Sequence, residues 1–158
     1  ERNKIISKMA ADLKGNTLVV FQRIDHGKDL FDAIETDKHK FYVAGETDKD
    51  AREAARHFAE ENDVIIVASL GVFSTGVNIR NLHNLIFAHP TKSKIKVLQS
   101  IGRILRLAEG KEEAIVYDII DDLKHGQRSN FALRHANERF KHYTNENFDY
   151  KTYTVKIK

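Results

Sequence analysis

The 158-residue chain carries 26 Lys and Arg against 23 Asp and Glu, a formal charge of +3, and no cysteine, which excludes disulfides, thiolate zinc sites and cysteine nucleophiles and suits a reducing compartment such as the cytoplasm. With 41% hydrophobic and 31% charged residues it has the composition of one folded domain, and no apolar run approaches the roughly 18 residues of a membrane span, so no membrane partner is expected. The small basic excess, with a pI near 9.0, permits contact with nucleic acid without demanding it.

The chain opens at Glu1 rather than Met, as a piece of something longer would, and Glu1 to about Leu13 reads as a helix with Ile5, Ile6, Met9 and Leu13 on one stripe. Gly15-Asn16 stops it, and the apolar run Thr17-Leu18-Val19-Val20-Phe21 follows as a strand. A second helix, from about Gly27 to Ile34, brings Leu30, Phe31 and Ile34 together. Phe41-Tyr42-Val43-Ala44 is a short strand ended by Gly45. Thr47 then reads as an N-cap with Asp48 and Asp50 in the first turn of a helix to about Glu61. Val64-Ile65-Ile66-Val67-Ala68, Asn84-Leu85-Ile86-Phe87-Ala88 and Ala114-Ile115-Val116-Tyr117 are further buried strands. A helix from about Ser93 lies between the last two.

Beyond Asp122 the pattern changes. Gln127 to about Tyr143 reads as a helix with Ala132, Ala136, Phe140 and Tyr143 as its apolar stripe, and Tyr150 to Ile157 alternates as an edge strand. This tail mixes aromatic and basic residues, which suits either stacking on a single strand or packing against the domain's flank. The organisation expected is therefore a domain over residues 1–124 and a helix-plus-strand extension over 125–158 packed on it.

Apolar strands alternating with amphipathic helices predict an α/β fold, doubly wound, with a mainly parallel sheet flanked by helices in three layers. Ligands of such sheets bind beyond the carboxyl ends of the strands. Gln22-Arg23, Ser69 to Asn78 and His89-Pro90-Thr91 leave strands in that direction and are expected to share one rim.

The helix after that rim carries the most specific signal. At about 100° per residue, Lys96, Gln99, Arg103 and Arg106 fall within one narrow arc, while Val97, Leu98, Ile101, Ile104 and Leu105 occupy the other side. Two guanidinium forks and an amide then point one way from a buried base, an arrangement suited to a polyphosphate. The plainer reading is a solvated helix face.

The loop Ser69 to Asn78 offers two glycines and three hydroxyls beyond a buried strand. Gly71 and Gly76 have the spacing of a phosphate-binding loop, yet Val77-Asn78 stands where that loop needs Lys followed by Ser or Thr. The domain is not expected to hold and hydrolyse a nucleotide alone. Asp118, Asp121 and Asp122 after the last strand could hold a metal but are read as turn and capping acids. His135 and His142 lack a third ligand nearby, so no metal site is expected, and no Gly-x-Ser-x-Gly elbow supports a serine hydrolase.

Two segments together carry a family resemblance. Gln99-x-x-Gly102-Arg103-x-x-Arg106 resembles motif VI of superfamily 2 helicases, and Ser74-Thr75-Gly76-Val77-Asn78-Ile79 resembles their motif V. Thr17 to Phe21 with the helix after it is similar to motif IV, in the same order. The likeness spans about Ile5 to Asp122 and is greatest to the phage recombination helicases of that superfamily. It implies a RecA-like fold, the second motor domain of an ATP-dependent DNA helicase acting on branched DNA, and host cytoplasm as its location. It also implies ATP with Mg2+ held mainly by a first RecA-like domain that this chain lacks. By motif, Arg103, Arg106 and Gln99 would be catalytic and contact the nucleotide, one arginine serving as a finger. Gly76 and Asn78 would lie near its sugar, though many relatives carry Asp where Asn78 stands. Arg23, Ser69, Gly71 and Ser74 would be nucleic-acid contacts. A non-catalytic nucleic-acid-binding module and an RNA helicase domain remain the alternatives.

Overall fold

The computed structural model describes residues 1–47, 49–61, 63–75, 81–89, 102, 113–122 and 131–156. Five parallel strands, β1 (Thr17–Phe21), β2 (His39–Val43), β3 (Val64–Ser69), β4 (Asn84–Phe87) and β5 (Ile115–Asp118), lie in the order β2-β3-β1-β4-β5. β1, β3 and β4 are buried at every position, which is why their sequences are continuous apolar runs rather than alternating ones.

Alternate side chains feed two cores, one on each face. Leu18, Val20, Ile66, Ala68, Leu85 and Phe87 pack with residues of α3 (Lys49–Glu61), α4 (Leu70–Thr75) and α5 (Phe131–Asn145). Val19, Phe21, Ile65, Val67 and Ile86 pack with α1 (Arg2–Asp12) and α2 (Ile24–Ala33). The result is the three-layer α/β sandwich that the strand and helix pattern predicts. At the amino ends of the strands, buried Asn16 ties neighbours together. Its Oδ1 accepts the Val64 N–H at 3.0 Å, its Nδ2 donates to the carbonyls of Asn81 and Ala59, and its own carbonyl accepts from His83 and Asn84.

Several elements differ from the sequence expectation. The helix expected from Gly27 starts at Ile24, because Gly27 is an interior position where α2 lies on Phe21; a Cβ there would sit 2.5 Å from the ring. Close packing, not chain entry, explains that glycine. Thr47 accepts the Ala44 N–H through Oγ1 at 2.8 Å, closing a turn after β2. The loop expected from Ser69 begins instead as α4, because Ser69 Oγ accepts the Val72 N–H and Leu70 and Phe73 are buried.

The expected edge strand is absent: residues 150–156 join no ladder and are exposed. Alternating Tyr, Thr, Val and Lys suits a pleated half-buried surface, but strand preference is expressed only where such a surface exists. Two of the acids read as turn and capping residues, Asp118 at the end of β5 and Asp121 beyond it, are ion-paired. Asp118 binds Arg139 and Asp121 binds Arg2. On α5, Ala136 and Tyr143 of the expected stripe are buried, with Arg139 buried between them.

Candidate functional site

Parallel pairing in register aligns the carboxyl ends of the strands: Phe21 lies opposite Ser69, Val20 opposite Phe87, and Phe87 opposite Asp118. The segments that follow therefore emerge along one edge. Gln22 and Arg23 leave β1 exposed, α4 leaves β3, His89 lies beyond β4, and Asp121 beyond β5.

A cleft of about 570 Å³ opens on this edge, lined among others by Arg2, Gln22, Arg23, His26, His89 and Asp121. Arg23 stands at the N-cap of α2 in an extended conformation, and its own side chain makes no capping bond. The first-turn N–H groups, with Asp25 beside them, thus face the rim together with an exposed guanidinium. Arg2 has a different role. Its guanidinium pairs with Asp121 and donates to the Ala88 carbonyl at 3.1 Å and the Ile119 carbonyl at 3.4 Å, lacing the ends of β4 and β5 to the start of α1.

Two histidines sit behind this surface. His26 Nε2 lies 3.0 Å from Asn3 Oδ1, and burial followed by the charge of Arg2 lowers its pKa. His89 is 5% exposed. Its Nδ1 must carry the proton, because it lies 3.1 Å from the Val20 carbonyl, which can only accept. Burial dominates the lowering of the His89 pKa; the Val20 bond opposes it, while Arg139, His26 and Arg2 reinforce it. The ring is therefore neutral, and its Nε2 has no hydrogen-bond partner among the described residues.

Behind β5, Asp118 accepts from Arg139 Nε at 2.6 Å, from Arg139 Nη2 at 2.7 Å and from the Tyr143 hydroxyl at 2.9 Å. That carboxylate is held by three donors from α5. No group of three metal-ligating side chains occurs among the described residues.

The sequence-predicted positions divide into two sets. Arg23 is exposed on the rim, Ser69 is buried as the cap of α4, and Gly71 lies exposed on α4 with open space where a Cβ would be. The Ser74 backbone belongs to α4, while its side chain lies outside the described residues. Gly76, Asn78, Gln99, Arg103 and Arg106 also lie outside them; within their motif only Gly102 is described, as helical and exposed. Sequence reasoning placed His89 on the rim without a role for its ring, and missed Arg2 and Arg139. Only Arg139 had a signal, standing three residues after Ala136 and four before Tyr143, inside the apolar stripe.

Residues 1–108 match the family model of the helicase conserved C-terminal domain. The ATP-dependent DNA helicase UvsW of Enterobacteria phage T4 is 41% identical over 172 residues, covering 99% of this chain and 34% of that protein. The probable helicase D10 of Escherichia phage T5 is 24% identical, covering 95% of this chain and 32% of that protein. The chain thus spans about a third of the length of these relatives. The crystal structure of T4 UvsW superposes with a TM-score of 0.81 at 42% identity, over 98% of this chain and 34% of that one. The C-terminal part of the Fun30 ATPase domain superposes at 0.61 with 12% identity, over 94% of this chain and 55% of that one, a likeness of fold alone. The five-stranded parallel sheet between helical layers is the RecA-like fold of helicase C-terminal domains.

Proposed function

Because the chain belongs to the helicase conserved C-terminal domain family, we propose that it is the second RecA-like motor domain of an ATP-dependent DNA helicase acting on branched DNA, in fork regression, branch migration, recombination and repair. The observation that carries the reading is the shared rim. Parallel register delivers the ends of β1, β3 and β4 to one edge, and the chain leaves that edge into the segments holding Gly76, Asn78, Gln99, Arg103 and Arg106.

In this reading Gln99, Arg103 and Arg106 face ATP across the seam with a first motor domain, and Arg106 is the finger. A guanidinium there stabilises charge that develops as the γ-phosphoryl group transfers. Gly76 and Asn78 lie by the sugar. ATP and Mg2+ are held mainly by the partner domain, in keeping with an Asp118 already committed to Arg139 and no phosphate-binding loop in this sequence.

Arg23, Gly71 and Ser74 grip the nucleic-acid backbone, Arg23 at the N-terminus of α2 and Gly71 where a strand can approach the chain closely. Ser69 supports them by capping α4. Residues 1–124 form the motor domain and 125–158 its docked extension.

The test is ATP hydrolysis by the chain alone and joined to its first motor domain. The joined protein should hydrolyse ATP in response to DNA, and the isolated chain should not. Turnover by the isolated chain would overturn the reading.

A further inference from the structure

The stretch from Tyr150 to Lys156 is unused by the motor reading. It joins no strand ladder, every residue in it is exposed, and it contains two tyrosines and two lysines but no acid. Exposure reaches 49% at Tyr150, 81% at Tyr153 and 68% at Val155. Aromatic rings left in water at such a density need a partner or a reason.

The rings are not loose. Tyr150 stacks on Phe140 of α5 with centroids 5.6 Å apart and planes 2° from parallel, and it meets Tyr143 at 6.1 Å. Tyr143 is in turn fixed to Asp118 at the end of β5. A chain of aromatics therefore runs from the sheet to the surface and ends in a tyrosine with half its area open. Tyr153 stands three residues further on, within about 10 Å along the backbone at most, with exposed Lys151 between the two tyrosines in sequence and Lys156 beyond them.

We propose that residues 150–156 form a stacking platform for a single nucleic-acid strand, with bases on Tyr150 and Tyr153 and phosphates on Lys151 and Lys156. Stacking needs only a π-face, so it tolerates any sequence, and the lysines supply the charge a backbone requires. A preorganised Tyr150 lowers the ordering cost of binding. Paired apolar strands would suit the alternation as well, but the positive charge favours a polyanion over a second copy. The proposal rests on the chain working on nucleic acid, not on the rim contacts.

The test is fluorescence anisotropy of an end-labelled oligothymidylate titrated with the full chain across a salt series, with sedimentation of the same samples. Tyr153→Ala should weaken binding about tenfold, and with Tyr150→Ala about a hundredfold, while Tyr153→Phe keeps wild-type affinity. Lys151→Ala with Lys156→Ala should lower the salt slope by about 1.4. The chain has no tryptophan, so tyrosine emission that is quenched in the wild type and not in the double Tyr150→Ala, Tyr153→Ala variant reports stacking. Tyr153 is mostly exposed, so its substitution leaves folding intact. No binding by the wild-type chain, or unchanged affinity in Tyr153→Ala, overturns the proposal. Loss of affinity in Arg23→Ala alone overturns it too while keeping the rim. Loss in Tyr153→Ala alone supports the platform and removes the Arg23 contact. A dimer that Tyr153→Ala dissociates with affinity unchanged would give the segment to a second copy and also overturn the proposal.

Discussion

Arg139 of α5 grips both oxygens of Asp118 at the carboxyl end of β5, at 2.6 and 2.7 Å, and the Arg139 side chain is only 1% exposed. The pair joins an element beyond the matched family model to the rim of the sheet. Tyr143 adds its hydroxyl to the same carboxylate, and burial, then the Asp118 charge, raises the Tyr143 pKa and keeps it a donor.

Removing one member of a buried ion pair strands the other charge, at a cost of about 3–5 kcal/mol. Arg139→Ala and Asp118→Ala should each lower the melting temperature by about 10 °C. Arg139→Met with Asp118→Leu should recover most of the loss, since no charge is then left unpaired. Thermal denaturation followed by circular dichroism reads all three. A single substitution that changes nothing would show that α5 is not held by this pair.

Gly27 packs against Phe21 so closely that a Cβ would meet the ring at 2.5 Å. Phe21 cannot yield easily, being fully buried and stacked on Tyr42 at 5.5 Å. Gly27→Ala should therefore destabilise by about 1–3 kcal/mol, against a helix-propensity gain of only about 1 kcal/mol. Urea denaturation decides between them; a stabilised variant would mean that α2 shifts outward at little cost.

These two positions show why parts of the molecule were legible in the sequence and others were not. β1, β3 and β4 are unmistakable because strands buried on both faces must be apolar throughout. Gly27 and Gly71 mislead because a glycine in a list of residues does not say whether it serves a turn or a close approach. Residues 150–156 mislead because alternation records a preference, not the presence of a neighbouring strand. On the rim, the positions of Arg23 and His89 were legible from their places after buried strands. The ion pair of Arg2 and the bond from His89 to Val20 were not, since Asp121 and Val20 lie 119 and 69 residues away.

His89 makes the fold sensitive to acid. Its pKa in the folded chain lies below the ordinary 6.5, chiefly from burial, and that of half-buried His26 is lowered too. The unfolded chain therefore binds more protons just below 6.5. Stability should be complete above that pH and fall as pH drops through it. His89→Asn, whose amide can still donate to the Val20 carbonyl, should flatten this fall. Melting temperatures measured from about pH 7.5 to about pH 5.5 test it. A wild-type chain whose stability rises as the solution is acidified would contradict the buried neutral imidazole.

Arg106 is the last arginine of its motif, and the proposed finger role makes its loss selective. A finger contributes only as charge builds on the transferring phosphoryl group, so removing it should spare ground-state binding. In the protein carrying both motor domains, Arg106→Ala should cut ATP turnover by about 10³-fold or more. Affinity for forked DNA should stay within a few fold of wild type, because the proposed DNA contacts at Arg23, Gly71 and Ser74 lie on other segments. Arg106→Lys should not restore the rate, since an ammonium keeps the charge without the planar fork. Turnover assays paired with forked-DNA binding separate the cases. Normal turnover moves the finger to Arg103, whereas equal losses of turnover and DNA binding make Arg106 a structural residue.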